Sequence, residues 1–112
     1  MKNLIMHEKW LNLILSGKKI WDIRSQDTSI RGEIGLAYRH YRYGIATLVY
    51  VKKMTLEELS QTFDKHRVPS EELEKYLHGK DYGFAYVLRD VKKLDQPIPI
   101  PISRAYGKWI ED

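Results

Sequence analysis

The hydrophobic period of the chain changes at Gly17, and this change limits the folds that the sequence can adopt. Before the glycine, apolar residues recur at spacings of three and four, which predicts an amphipathic helix over residues 7–18. The apolar face of that helix consists of Trp10, Leu11, Ile14 and Leu15. Gly17 stands where a left-handed residue commonly ends a helix. Beyond it the period becomes two, which predicts a strand over residues 20–24.

The predicted strand carries charged side chains as well as apolar ones. Because successive residues of a strand point to opposite faces, Trp21 and Ile23 would share one face, and Asp22 and Arg24 the other. We expect the apolar face to pack on a core. The charged face lies close in sequence to Lys19, so these residues are the first candidates for a site.

Short apolar stretches that favour strands recur along the rest of the chain. The predicted strands are residues 4–6, 32–38, 45–51, 82–88 and 108–110. The stretch 45–51 is apolar enough to be covered on both faces. Prolines alternate over residues 96–102 and cannot donate ladder hydrogen bonds, so this stretch is predicted to be an extended segment or an edge strand.

Two short helices are predicted between the third and fourth of these stretches. Thr55 and Glu58 have the spacing of a capping box, which predicts a helix with a buried stripe of Leu56, Leu59 and Phe63. Pro69 and Ser70 begin a second helix that ends near His78 and Gly79. Its apolar residues are Leu73, Tyr76 and Leu77.

The order of these elements predicts an α+β fold. Strands this short, with helices inserted rather than alternating with them, favour a small mixed β-barrel of about five or six strands, closed or nearly closed. The barrel would carry an N-terminal helix and an inserted helical pair. A length of 112 residues predicts one domain over residues 1–112, with one core that includes Trp10, Trp21 and Trp109.

Composition excludes several kinds of chemistry. The chain has no cysteine, so disulfides, thiolate metal ligands and thiol nucleophiles are excluded. The four histidines lack ligand spacing and no glycine-rich phosphate loop occurs, so we expect neither a metal nor a cofactor. No run of about 18 apolar residues is present. We therefore expect a cytoplasmic protein without a membrane partner.

The charge of the chain is distributed unevenly. The formal net charge is +4, but residues 55–77 hold six acids and three bases, so the remainder of the chain carries +7. Such asymmetry is typical of a surface that attracts an anion, although acidic helices and basic strands would give the same pattern. Lysine, arginine and aromatic groups are the chemistry that remains, and they favour RNA or a nucleotide as partner.

Three charged residues form the central candidate site. Lys19 follows the helix C-terminus, where the macrodipole already favours a cation, and Asp22 and Arg24 could simply pair with each other on an exposed strand. If they project into a cleft instead, Asp22 orients the Arg24 guanidinium for an incoming phosphate.

Further candidates for nucleic-acid binding lie outside this strand. Arg31 precedes a glycine and could bind phosphate or cap a turn. Residues 38–44 form a predicted connection in which Tyr41, Arg42 and Tyr43 could contact RNA, although alternate tyrosines also pack across strands. A basic aromatic loop over residues 103–107 could line the same cleft.

The sequence resembles the ASCH domain family, whose members are small relatives of the PUA domain. The specific part of the resemblance is the turn Gly17-Lys18-Lys19, the run Trp21-Asp22-Ile23-Arg24 and the strand opening Arg31-Gly32-Glu33-Ile34. The stretches 7–10, 65–68 and 83–88 and the prolines before Trp109 also fit. The resemblance implies a PUA-like barrel with a positively lined cleft for RNA or nucleosides, and it places Lys19, Asp22 and Arg24 there.

The resemblance also leaves an enzymatic function open. One ASCH branch is similar to amidohydrolases that remove an acetyl group from modified cytidine with a lysine in the turn, a threonine three residues later and a glutamate. Lys19 matches the lysine, but Asp22 stands at the threonine position, and Glu71 or Glu72 are only candidates for the glutamate. Asp22 could act as a general base beside Lys19. Other members resemble ribonucleases, and an interaction domain with a vestigial cleft is a third possibility.

Overall fold

The structure, a computed structural model, describes residues 1–101 and 109–112. The strands are β1 Lys2–Ile5, β2 Trp21–Arg24, β3 Gly32–Tyr38, β4 Tyr41–Thr55, β5 Tyr82–Pro99 and β6 Trp109–Glu111. The helices are α1 Glu8–Leu15, α2 Leu56–Ser60, α3 Phe63–His66 and α4 Ser70–Tyr76. The presence of these strands and helices in one chain confirms the predicted α+β class.

The six strands form one mixed sheet in the order β2-β5-β4-β3-β1-β6. Only β1 and β3 run parallel, with Leu4 opposite Leu36, and the other pairs are antiparallel. Register shifts interrupt β4 against both of its neighbours, as bulges do where a sheet bends. Among the described residues β2 and β6 share no ladder, so the sheet is barrel-like without being closed.

The end of α1 confirms the prediction for Gly17. The glycine has a φ of +81°, its N–H donates to the Ile14 carbonyl, and the Lys18 N–H donates to the Leu13 carbonyl. These two bonds form a Schellman motif. The motif reverses the chain and delivers Lys19 and Ile20 to the start of β2.

Two long strands, β4 and β5, replace several predicted short segments. Residues 41–44 belong to β4 and not to a connection, because Arg39 and His40 alone form the turn after β3. Within the predicted segment 96–102, residues 96–99 are the extended end of β5, where Ile98 pairs with Arg42. The expectation that residues 45–51 are covered on both faces was wrong at Tyr50, which is 46% exposed.

The inserted segment contains three short helices rather than the predicted pair. The capping box of Thr55 and Glu58 is confirmed, with both reciprocal hydrogen bonds present. The first predicted helix breaks after Ser60, so Phe63 begins α3 and is 45% exposed instead of buried. Leu59, Leu73 and Leu77 are fully buried and attach this segment to the core.

The core lies between α1, the helical segment and one side of the sheet. Trp10 is buried in it, as predicted, while Trp21 and Trp109 are half-buried and pack against its margin. Within the described part of the chain, no helix has both the length and the apolar character needed to cross a membrane.

Candidate functional site

Asp22 and Arg24 form a buried ion pair at the end of β2. Arg24 Nε lies 2.6 Å from Asp22 Oδ2, and Arg24 Nη2 donates to the Ile5 carbonyl oxygen at 2.9 Å. Both side chains are buried, so the reading of an exposed surface pair is wrong. Burial is the largest single influence and opposes the charge of Arg24, but the Asp22 carboxylate, together with Tyr76 and Tyr86, outweighs it and raises the pKa of the guanidinium.

One nitrogen of Arg24, Nη1, has no hydrogen-bond partner within the part of the chain that the structure describes. Two of its neighbours in the guanidinium are fixed by protein acceptors, so the direction of Nη1 is set before any ligand arrives.

Lys19 is buried beside this pair and is only 1% exposed. Its Nζ donates to the backbone carbonyl of His66 at 2.5 Å and lies 4.8 Å from the centre of the Trp10 ring. Burial lowers the pKa of Lys19 to about 8, because the nearby Asp22 carboxylate offsets the desolvation of the ammonium only in part.

His66 holds the corner that receives Lys19. Its Nδ1 accepts the Val68 N–H, so Nε2 carries the proton and donates to the Leu59 carbonyl at 2.7 Å. Burial lowers the pKa of His66, which keeps the ring neutral. This histidine is a structural residue, and its backbone carbonyl oxygen accepts the hydrogen bond that the buried ammonium of Lys19 donates.

An open cavity of about 440 Å³ lies where the end of β2 meets α4 and the start of α1. Its lining residues are His7, Arg24, Ser25, Glu72, Lys75, Tyr76 and His78. We call this cavity the Arg24 pocket. Arg24 is the one predicted binding residue in its lining, and Lys19 and Asp22 lie behind it.

Sequence reasoning missed most of the residues around the Arg24 pocket. Tyr76 was expected in the core but is half-buried in the lining, where desolvation raises the pKa of its hydroxyl. Glu72, a candidate for a catalytic glutamate, forms an ion pair with Lys9 at 3.1 Å. The alternation of basic and aromatic residues over 75–84 was the available signal, because it matches the pattern that had singled out residues 38–43.

The other predicted arginines are held elsewhere by the protein itself. Arg31 Nη1 donates to the carbonyls of Thr28 and Ile30, so Arg31 caps the turn before β3. Arg42 pairs with Asp112, whose carboxylate oxygens lie 3.2 Å from its guanidinium nitrogens. Neither of these two arginines lines the cavity that Arg24 lines.

Tyr41 and Tyr43 lie together on β4, with ring centres 6.3 Å apart. Tyr41 is exposed, and Tyr43 lines a second cavity of about 390 Å³ with Leu11, Leu15 and Tyr38. The basic loop predicted over residues 103–107 lies outside the described residues. Among those residues, no three histidine, aspartate or glutamate side chains are grouped in a way that could hold a metal ion.

Comparison with known proteins identifies the family. The sequence profile of the ASCH domain matches residues 4–109. The crystal structure of ASCH from Zymomonas mobilis is similar, with a TM-score of 0.76, 18% identity, and coverage of 88% of this chain and 72% of that chain. A tyrosine-to-phenylalanine mutant of that protein gives the same TM-score and identity, with 74% of its chain covered.

At 18% identity this likeness concerns the fold alone, and it confirms that the chain has the fold of an ASCH domain. No curated protein matches the sequence. The profile match extends over nearly all of the 112 residues and includes the turn at Gly17, the strand β2 and the opening of β3. The chain therefore belongs to the ASCH domain family.

Proposed function

We propose that the protein binds RNA or a modified nucleotide, with one unpaired nucleotide in the Arg24 pocket. The observation that carries this proposal is the fixed guanidinium of Arg24, a residue that lines a cavity of about 440 Å³. A volume of this size is typical of small-ligand sites. The charged N–H groups of a guanidinium suit a phosphate oxygen or an acceptor on the edge of a base.

The rest of the lining supports a ligand that is both anionic and aromatic. Lys75 is exposed at the rim, and the half-buried ring of Tyr76 offers a surface on which a base can stack. The carboxylate of Glu72 is paired with Lys9, which reduces its repulsion of a phosphate. An ammonium, a guanidinium and a ring around one cavity are what a nucleotide requires.

This proposal is tested by measuring RNA binding across a salt series. Lys75→Ala removes one cation from the pocket, so the slope of log affinity against log salt should fall by about 0.7, the value for one phosphate contact with a single strand. Arg24→Lys keeps the charge but loses the planar guanidinium that Asp22 and Ile5 hold in place, and should weaken binding by about tenfold or more. Lys65→Ala, an exposed lysine on α3, is the matched control and should change neither quantity. RNA binding that is independent of Lys75 and Arg24 would contradict the proposal.

A second candidate function is hydrolysis of a nucleic-acid derivative by Lys19 and Asp22. The observation in its favour is the lowered pKa of Lys19, about 8, which makes a neutral amine accessible near physiological pH. Its burial and its bond to the His66 carbonyl oppose this use, because a substrate would have to displace that carbonyl.

Incubation with acetylated cytidine and with single-stranded RNA, followed by chromatography, separates the two functions. The binding proposal predicts that both compounds are recovered unchanged while RNA is retained in a low-salt shift assay. Product formed by the wild-type protein and lost in Lys19→Met would establish the hydrolase instead.

A further inference from the structure

A strip of basic and aromatic side chains crosses the sheet beside the Arg24 pocket. It consists of Lys53 on β4, Tyr82 and Phe84 on β5, and Lys80 just before β5. We call these four residues the Tyr82 strip. The lysines are exposed and the two rings are half-buried, so the surface of the strip can be reached by a ligand.

The register of the strands makes the strip continuous with the pocket. Arg24 is opposite Phe84, and Phe84 is opposite Lys53, so the three residues form a row across β2, β5 and β4. Residues directly opposite in a sheet point to the same face. Lys80 Nζ lies 3.5 Å from the carbonyl oxygen of Ser25, which belongs to the pocket lining.

The strip is built around the Tyr82 ring. The Phe84 ring meets it edge to face at a centre distance of 5.9 Å. Lys53 Nζ is 4.3 Å from its centre and Lys80 Nζ is 5.7 Å away, so two ammonium groups share one aromatic ring. At exposed sites a cation–π contact is weak, and an anionic ligand can readily draw a lysine away from the ring.

Neither lysine of the strip has a carboxylate partner among the described residues, a property that they share with several other surface lysines. Lys9 is paired with Glu72 and Arg42 with Asp112, whereas neither Lys53 nor Lys80 forms an ion pair among the described residues. The charges of the strip are therefore available to an outside anion. Asp81 is adjacent in sequence to Lys80, but its carboxylate forms no ion pair with either lysine of the strip.

We propose that the natural ligand is a single-stranded RNA longer than the nucleotide in the pocket, and that its neighbouring residues lie along the Tyr82 strip. Lys53 and Lys80 contact the phosphates, and the ring pair stacks an adjacent base. Alternating cations and aromatic platforms are the chemistry by which proteins hold single strands without reading their sequence. This inference rests on the proposed function, because the pocket supplies the anchor from which the strand extends.

The test compares a fluorescent eight-nucleotide uridine RNA, measured by anisotropy, with uridine 5′-monophosphate, measured by NMR titration. Lys53→Ala combined with Lys80→Ala should lower the affinity for the oligonucleotide by about tenfold and the salt slope by about 1.4, or 0.7 for each phosphate contact. Tyr82→Leu keeps an apolar side chain but removes the stacking face, and should weaken the oligonucleotide by about fivefold or more. Affinity for the mononucleotide should stay the same in all of these variants.

The matched control is Lys2→Ala combined with Lys92→Ala, which removes the same charge from exposed positions on β1 and further along β5. If this control lowers oligonucleotide affinity as much as the strip variant does, the effect is one of net charge and the strip is refuted. If the wild-type protein binds both ligands in an Arg24-dependent way and the strip variants match it, the inference is overturned while the proposed function stands. If neither ligand binds, both fail.

Discussion

At the scale of single residues, the chemistry of the site depends on charges that the protein has buried. Lys19, Asp22 and Arg24 were expected to line a cleft together, and the structure brings them together, but only Arg24 reaches the cavity. Sequence spacing could place Asp22 and Arg24 on one face of β2. It could not show that the face is covered, because the covering atoms come from Ile5 and from the corner at His66.

The buried ammonium of Lys19 makes stability depend on pH. Its pKa falls from 10.5 to about 8 in the folded state, so between these values the unfolded state binds more protons and the free energy of unfolding rises with pH. The tyrosines are present in both the wild type and Lys19→Met, so their contribution to the pH dependence of stability cancels when the two proteins are compared. Between about pH 7 and about pH 9.5, the stability of the wild type relative to this variant should increase by about 2 kcal/mol.

Urea denaturation at a series of pH values measures this difference. His7→Gln, a change at an exposed histidine, is a control that should leave the pH dependence of the wild type intact. A constant difference between wild type and Lys19→Met across the range would mean that Lys19 titrates normally and is not held in a desolvated position.

At the scale of elements, local chemistry was a good guide and long-range pairing was not. The Schellman turn at Gly17 and the capping box at Thr55 were predicted because each is formed by residues close in sequence. The lengths of β4 and β5 were underestimated, since glycines and prolines that resemble strand ends lie at register shifts or at the end of the ladder. The break between α2 and α3 contains neither glycine nor proline, so no sequence signal indicated that the helix ends there.

Gly17 tests the importance of the turn that delivers Lys19. Gly17→Ala should lower the free energy of unfolding by about 1 kcal/mol, because alanine is strained at a φ of +81°. The new Cβ would meet no atom within 4 Å, so backbone strain is the whole of this cost. Gly17→Asn should be milder, since asparagine tolerates the left-handed region. Thermal or urea unfolding measures both, and an alanine variant as stable as wild type would show that the turn is not held in this conformation.

At the scale of the whole molecule, the predicted charge asymmetry turned out to be a poor map of the site. The sequence suggested a positive surface set apart from acidic helices, but the Arg24 pocket lies against α4, where Glu72 and Lys75 both line it. Arg42, which looked free in the sequence, is neutralised by Asp112 at the far end of the chain. Pairing of this kind depends on tertiary contacts, so counting charges in segments could not reveal which cations remain available.

The most direct test of the account is an NMR titration of the isotopically labelled protein with a short uridine RNA at low salt. We predict that the shortest RNA shifts the backbone signals of residues that line the Arg24 pocket. Longer RNAs should also shift the signals of Lys53, Lys80, Tyr82 and Phe84. Shifts confined to Tyr41, Tyr43 and the second cavity, or no shifts in any signal, would contradict the account.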